Sequence, residues 1–515
     1  MAIIKDGELA AKHVWGYANI DTREPITPQT IFPICSISKQ MVCLVLTELI
    51  TERGAQFEQA VLQTVREMLP DSISTNEDLT LERLVGMQSG LRDYWILSVL
   101  WGARPQDRFS IYQDAPEALK RLGSFHFAPG TQFSYSNTNF MVVGLAIEKV
   151  TGQTLNDLLQ SLLFKPAGMK SAGLRADMAR IPSPIVGYEG SEETGYIPYT
   201  NRIEWAGDAG VSASLDDMIA YEKYIHRSST DENSAYFKIA TDPTYIDGSS
   251  AHYSNGLFHR EVEGVKVVEH SGGLAGFRLR RSYMPSERTS VIVLLNSHID
   301  TTVVASYTFK KILKDTPSIE KLQVANDKPA ETRVEVKWTS SYLDEGTKLA
   351  VVVKQDKPGQ VIVNYDGHHE TLEILNENEA KGNFMQVRFG SNGLSVVRPF
   401  ENRRFTARPL RAVPASTDAQ EFVGRYYSKE IDSTLLVSGS GAMLYGAFDG
   451  YLGKGPMHVM QRLGEDVWWL ACFRSLDAPV PGYWTVAFDG RRFEGFSKVT
   501  VGCMGARDIA YQRVS

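Results

Sequence analysis

Ser36 and Lys39 stand three residues apart in Cys35-Ser36-Ile37-Ser38-Lys39-Gln40, at the head of the apolar run Met41-Val42-Cys43-Leu44-Val45-Leu46. On a helix that spacing puts both side chains on one face. A serine hydroxyl is a weak nucleophile near neutral pH, and a lysine amine beside it can accept its proton. The N-terminus of the helix would also aim backbone N–H groups at any oxyanion formed there. Taken alone the pair says little. About two or three such spacings arise by chance in a chain of this length, and a solitary one reads as a solvated helix start.

Two later groups carry residue types that could complete such chemistry. Tyr135 and Asn137 lie in Ser134-Tyr135-Ser136-Asn137, between Pro129-Gly130-Thr131 and a helical stretch over 140–150. A phenol near a lysine can relay a proton, and a carboxamide can orient a substrate amide. A tyrosine packed at a helix entry beside a capping asparagine is the purely structural alternative. His270-Ser271-Gly272-Gly273 ends an alternating stretch over 262–269. Glycines there let backbone approach a ligand, and an N–H could supply half of an oxyanion hole. A histidine beside a glycine-rich hairpin turn is the corresponding plain reading.

The elements that would position these groups follow from periodicity. Ala2-Ile3-Ile4, the turn Lys5-Asp6-Gly7-Glu8 and 9–17 predict a β-hairpin. An extended Phe32-Pro33-Ile34 feeds the helix that starts at Ser36 and stops at Arg53-Gly54. Amphipathic helices are expected over 56–69, 79–87, 140–150 and 155–163. The stretches 91–125 and 171–204 read as mixed or irregular. Gly210-Val211-Ser212 leads into a helix capped near Ser214. Strands over 262–269, 278–284 and 290–295 make a meander closed by a helix over 301–313.

Beyond Lys314 the pattern changes. Residues 315–317 and 326–331 read as linker, and from 334 on the chain is short alternating strands with Gly, Asn and Asp turns. A second break falls at 408–418. Faintly similar segments flank it: Tyr365-Asp366-Gly367 on one side and Phe448-Asp449-Gly450 on the other. Two β-barrels of about eighty to a hundred residues each fit this spacing. The connection 474–482 exceeds the roughly 2–5 residues usual for a hairpin, and its prolines would stiffen it. It serves as a lid or binding finger, or else as an exposed excursion.

Composition narrows the class. A net charge of -7 argues against nucleic-acid binding. Four scattered cysteines, Cys35, Cys43, Cys472 and Cys503, make neither a disulfide framework nor a zinc site. The start is no signal peptide and no run reaches membrane-spanning length, so a soluble cytoplasmic protein without metal, cofactor or membrane partner is expected.

Ser36-x-x-Lys39, Tyr135-x-Asn137 and His270-x-Gly272 occur in the order found in the serine β-lactamase and penicillin-binding-protein superfamily, which the chain resembles. Gln88-Ser89-Gly90-Leu91, Pro129-Gly130 and Gly210-Val211-Ser212 support the likeness. The whole chain resembles the D-aminopeptidase branch. That resemblance implies an α+β fold: a β-lactamase/transpeptidase-like helix–sheet domain over 1–315, then antiparallel eight-stranded barrels over 332–413 and 419–515. It implies hydrolysis of N-terminal D-residues from small amides, esters or peptides. Ser36 would be acylated, with Lys39, Tyr135 and His270 as further catalytic residues. Asn137, Gly272, Gly273 and Arg278 would line the substrate, and Asp477, on loop 474–482 reaching the site, would meet its free amine. A homodimer is implied as well. An esterase or D,D-carboxypeptidase/β-lactamase-like hydrolase of the same fold is the alternative.

Overall fold

A computed structural model describes residues 1–314, 336–473, 476, 482–492 and 495–514. The chain forms two compact units that cut across its order. One gathers Met1–Ser89, Arg108–Glu117 and the chain from Asn137 through the helix Thr301–Lys314; the other joins Gly90–Asp107 and Ala118–Ser136 to the C-terminal strands.

The first unit is built on a seven-stranded antiparallel sheet. Its strands run in the spatial order Tyr253–Ser254, Leu257–Val262, Val265–Leu274, Phe277–Met284, Thr289–Leu295, Ala2–Lys5 and Glu8–Lys12. The first five form a meander. The N-terminal hairpin joins its far edge, with Ile3 opposite Val291. Side chains alternate between faces. Val291 and Val293 pack with Phe309 of the helix Thr301–Lys314, whereas Ser290 points to Glu222 of the helix Leu215–Ser228. Both faces of Thr289–Leu295 are therefore covered, and nearly every residue of that strand is buried. The stretch expected as a single strand over 262–269 is instead two strands. Glu263 and Gly264 take φ of +50° and +75°, which closes a two-residue hairpin loop.

The helix Ser38–Arg53 forms the centre of the helical lobe, buried at every position from Ser38 to Leu46. Around it lie Ala55–Glu67, Asn137–Thr151 and Ala235–Ile239. A small sheet, with Val211–Ser214 between Ile31–Pro33 and Gly173–Leu174, delivers the chain to the start of this helix. The helix after it is secured by a capping box between Ser214 and Asp217.

In the second unit, eight strands from Ser341–Asp344 to Arg403–Pro409 close a barrel around Trp338, Val351, Val363, Leu372 and Val396. A second barrel closes when Ser433–Ser440 pairs with Met443–Gly450. The barrels meet through Leu343 and Leu410 against Val467 and Ala487. The inserted segments belong here because their buried polar groups find partners here. Arg92 donates to the carbonyls of Arg507, Leu122 and Ser124 and pairs with Glu430 at 2.7 Å. Trp101 donates to the carbonyl of Ile431.

Candidate active site

Ser36 sits on a single tight turn, Cys35–Ile37, immediately before the helix Ser38–Arg53. Cys35 has φ of +53°, a left-handed conformation that costs a residue with a Cβ about 1–2 kcal/mol. The buried hydroxyl of Ser38 holds that conformation. It donates to the carbonyl of Cys35 at 2.5 Å and accepts from the N–H of Val211 at 3.0 Å. The N–H of Ile34 in turn donates to the carbonyl of Val211. This lifts Ser36, half-buried, out of a turn whose other members are buried.

The Lys39 side chain is fully buried. Its Nζ lies 3.1 Å from Ser36 Oγ, 2.8 Å from Asn137 Oδ1 and 2.6 Å from the carbonyl oxygen of Asp208. Asn137 and Asp208 offer this nitrogen only acceptors, while the serine hydroxyl can also donate. Nζ donates to Ser36 Oγ as the contact stands, and in its neutral form the same nitrogen could take the hydroxyl proton back across that 3.1 Å contact. The arrangement presets a proton acceptor for that hydroxyl.

The third motif lies on the strand Val265–Leu274. This strand pairs with Phe277–Met284 along Val268 to Leu274, but with Leu257–Val262 only as far as Glu269. Among the described residues its last residues thus have one edge without a strand neighbour, and the strand runs past the Ser36 turn. A Cβ on Gly272 would lie 2.4 Å from the carbonyl oxygen of Ile34 and 3.2 Å from the Cβ of Cys35, so only glycine admits this approach.

His270 is buried, and both ring nitrogens have protein partners. Nδ1 faces the carbonyl of Ser271 at 2.6 Å, and Nε2 faces the hydroxyl of Tyr253 at 3.2 Å. The carbonyl makes Nδ1 the protonated nitrogen, so Nε2 accepts from Tyr253. Burial, with the Lys39 side chain adding to it, pushes the imidazole down to about 3. His270 is neutral at ordinary pH. Arg278 stands opposite Gly273 in the sheet and donates through Nη1 to the carbonyls of Leu274 and Phe277, both at 2.7 Å. Its Nε and Nη2 meet no hydrogen-bonding partner among the described residues. Burial lowers its pKa.

Ser36, Lys39, Asn137, Gly272, Gly273, His270 and Arg278 all fall in the first unit. Tyr135 belongs to the second, at the point where the chain leaves it. Two peptide links keep its Cα within roughly 7 Å of that of Asn137. Asp477 and most of loop 474–482 lie outside the described residues. Sequence reading missed three groups. The Asp208 carbonyl has no side-chain signature, and Ser38 is masked by its neighbour Ser36. Tyr253 precedes the hairpin signal Asn255-Gly256, which would have located it.

The comparisons with known proteins agree with this layout. The β-lactamase family matches residues 1–308, and the family described as D-aminopeptidase, domain B matches residues 331–512. The D-aminopeptidase of Brucella anthropi is 36% identical over 520 residues, covering 100% of this chain and 95% of that protein. The D-aminopeptidase of Brucella melitensis is 36% identical over 514 residues with the same coverage. Among solved structures, an octameric penicillin-binding protein homologue from Pyrococcus abyssi aligns with a TM-score of 0.54 at 23% identity, covering 78% of this chain and 94% of its own, a likeness of fold. Because the sequence relation extends across the helix–sheet unit and both barrels rather than stopping at the shared β-lactamase-like part, the chain belongs to the D-aminopeptidase family of serine β-lactamase-like proteins.

Proposed function

We propose that the chain is a serine aminopeptidase that hydrolyses N-terminal D-residues, D-alanine among them, from small amides, esters and peptides. The name of its relatives supports the substrate class, and the contacts of Lys39 support the chemistry. The carrying observation is that the buried Lys39 nitrogen lies 3.1 Å from the Ser36 hydroxyl, within reach of its proton, and is anchored there by Asn137 Oδ1 and the Asp208 carbonyl. Ser36 Oγ attacks the substrate carbonyl carbon while Lys39 accepts the hydroxyl proton. The oxyanion meets the N–H groups of Ser36 and Gly273. Tyr135, two residues from Asn137, passes a proton to the leaving amine, and water then hydrolyses the ester on Ser36.

In this reading Asn137 holds Lys39 and the substrate amide, and the open donors of Arg278 face the substrate. His270 fixes the strand that carries Gly272 and Gly273, and Asp477 on loop 474–482 meets the free amine. The division into a catalytic part over 1–315 and barrels over 332–413 and 419–515 belongs to the same proposal, as does the homodimer, which light scattering checks. All four cysteines are buried free thiols, which fits a reducing cytoplasmic setting. Among the described residues no helix is long and apolar enough to cross a membrane.

Paired assays with D- and L-alanine p-nitroanilide test the reading. Turnover of the D-substrate alone, abolished in Ser36→Ala, is expected. Equal turnover of both enantiomers removes the stereochemical claim, and an active Ser36→Ala variant removes the site.

A further inference from the structure

The hairpin Tyr253–Ser254 and Leu257–Val262 touches both halves of this site. Its loop is Asn255-Gly256, with φ of +53° and +73°, a two-residue turn of the Asn-Gly kind. A Cβ on Gly256 would lie 2.3 Å from the backbone nitrogen of Gln40 and 2.6 Å from the carbonyl carbon of Lys39. The loop is therefore seated directly on the backbone that carries Lys39. It is pinned to the helical lobe by two more bonds: the N–H of Asn255 donates to the carbonyl of Val85 at 3.0 Å, and Asn255 Nδ2 to that of Ile239 at 3.3 Å. Two residues before Asn255, the buried Tyr253 donates its hydroxyl to Nε2 of His270, on the strand that continues to Gly272 and Gly273.

We propose that Tyr253 and Gly256 are positioning residues, and that this hairpin is a strut setting the distance between the Lys39 helix and the strand edge of Gly272 and Gly273. The inference rests on the hydrolase reading of Ser36. Attack by Ser36 requires the hydroxyl, the amine and the strand N–H in register, and displacement by about 1 Å can cost 100-fold in rate. Neither backbone atom that Gly256 abuts can swing aside, so a methyl there must lift the loop or shift Lys39.

The same sheet supplies a control. Glu263-Gly264 closes the next hairpin with φ of +50° and +75°, and a Cβ on Gly264 would meet nothing within 4 Å. Gly256→Ala and Gly264→Ala thus carry the same backbone strain, and only the first presses on Lys39. Both should lower Tm. Gly256→Ala alone should lower kcat on D-alanine p-nitroanilide by about 10- to 100-fold, with KM within about twofold. Tyr253→Phe, which keeps the ring and removes only the hydroxyl, should lower kcat in the same sense. Equal kcat for the two alanine variants overturns the inference. If Gly256→Ala does not fold, a Tyr253→Phe variant with wild-type kcat overturns it instead.

The rate at which a fluorophosphonate labels Ser36 is read in parallel and should fall in the same variants. A wild-type chain that labels but cleaves no D-alanyl substrate removes the substrate reading alone, and the labelling rates then decide on the strut. A wild-type chain that neither labels nor hydrolyses takes both down.

Discussion

Gly272 lies so close to Ile34 that an added methyl would sit 2.4 Å from the Ile34 carbonyl oxygen, a backbone atom with no room to retreat. The third motif is therefore in direct backbone contact with the turn that presents Ser36. Gly272→Ala should force the strand edge away from that turn and take the Gly273 N–H with it. In the proposed mechanism that N–H is an oxyanion donor, and loss of one such donor costs about 100- to 1,000-fold in kcat. A kcat within threefold of wild type, on protein that melts normally, would separate the strand from the chemistry.

Ser38 is expected to affect stability as well as rate. Its hydroxyl serves the Cys35 carbonyl and the Val211 N–H, both buried. Ser38→Ala leaves that N–H without its partner, at a cost of about 1–3 kcal/mol. Urea unfolding should show this loss, and Ser38→Thr, which keeps the hydroxyl, should recover most of it. Because Cys35 is held at φ of +53° by the same hydroxyl, kcat should follow stability in this pair of variants.

Much of this was legible beforehand, for physical reasons. Ser36 and Lys39 are close because helical spacing makes them so, and the meander over 278–295 was visible because alternation and turn residues agreed. The second barrel and its partner were readable as short strands with regular turns. Other features escaped. The stretch 171–204 holds a hairpin, Gly187–Ser191 with Gly195–Tyr199, whose outer strand is mostly exposed and so lacks the apolar alternation that announces a strand. The assignment of Gly90–Asp107 and Ala118–Ser136 to the barrel unit depends on where Arg92 and Trp101 find carbonyl partners hundreds of residues away, which no local pattern encodes. The Asp208 carbonyl that fixes Lys39 is a main-chain group, identical in every residue type.

Asp366 should make stability depend on pH. It is buried where the barrels meet; Oδ1 accepts from the Thr485 hydroxyl at 2.9 Å, and among the described residues Oδ2 meets no hydrogen-bond partner. Burial holds its pKa well above the usual carboxylate value. The native state thus keeps a proton that the unfolded chain releases at about pH 4. Where the native state binds more protons, stability falls as pH rises. This contribution is complete below the unfolded value and declines up to the raised folded one. Asp366→Asn replaces the protonated group by a neutral isostere and should flatten that decline. Thermal unfolding of both proteins from pH 5 to 8 should give a shallower curve for the variant, and parallel curves would show Asp366 to be ionised in the fold.

Arg278 offers the sharpest test of how a substrate is held. One nitrogen, Nη1, is spent on the carbonyls of Leu274 and Phe277 at the hairpin end, and the half-buried side chain leaves Nε and Nη2 for an incoming acceptor. A planar pair of donors can grip a carbonyl or carboxylate at two points, which a lysine ammonium cannot reproduce. Arg278→Lys should therefore keep the charge but lose the fork. Charge-assisted hydrogen bonds contribute about 1.5–3 kcal/mol each, so kcat/KM should fall by about 10- to 100-fold in Arg278→Lys and further in Arg278→Ala. If the bond forms equally in ground and transition states, the loss falls on KM; if it forms only as charge develops, it falls on kcat. Steady-state kinetics on D-alanine p-nitroanilide distinguishes the two. An Arg278→Ala variant with unchanged kcat and KM would confine this arginine to closing its own hairpin.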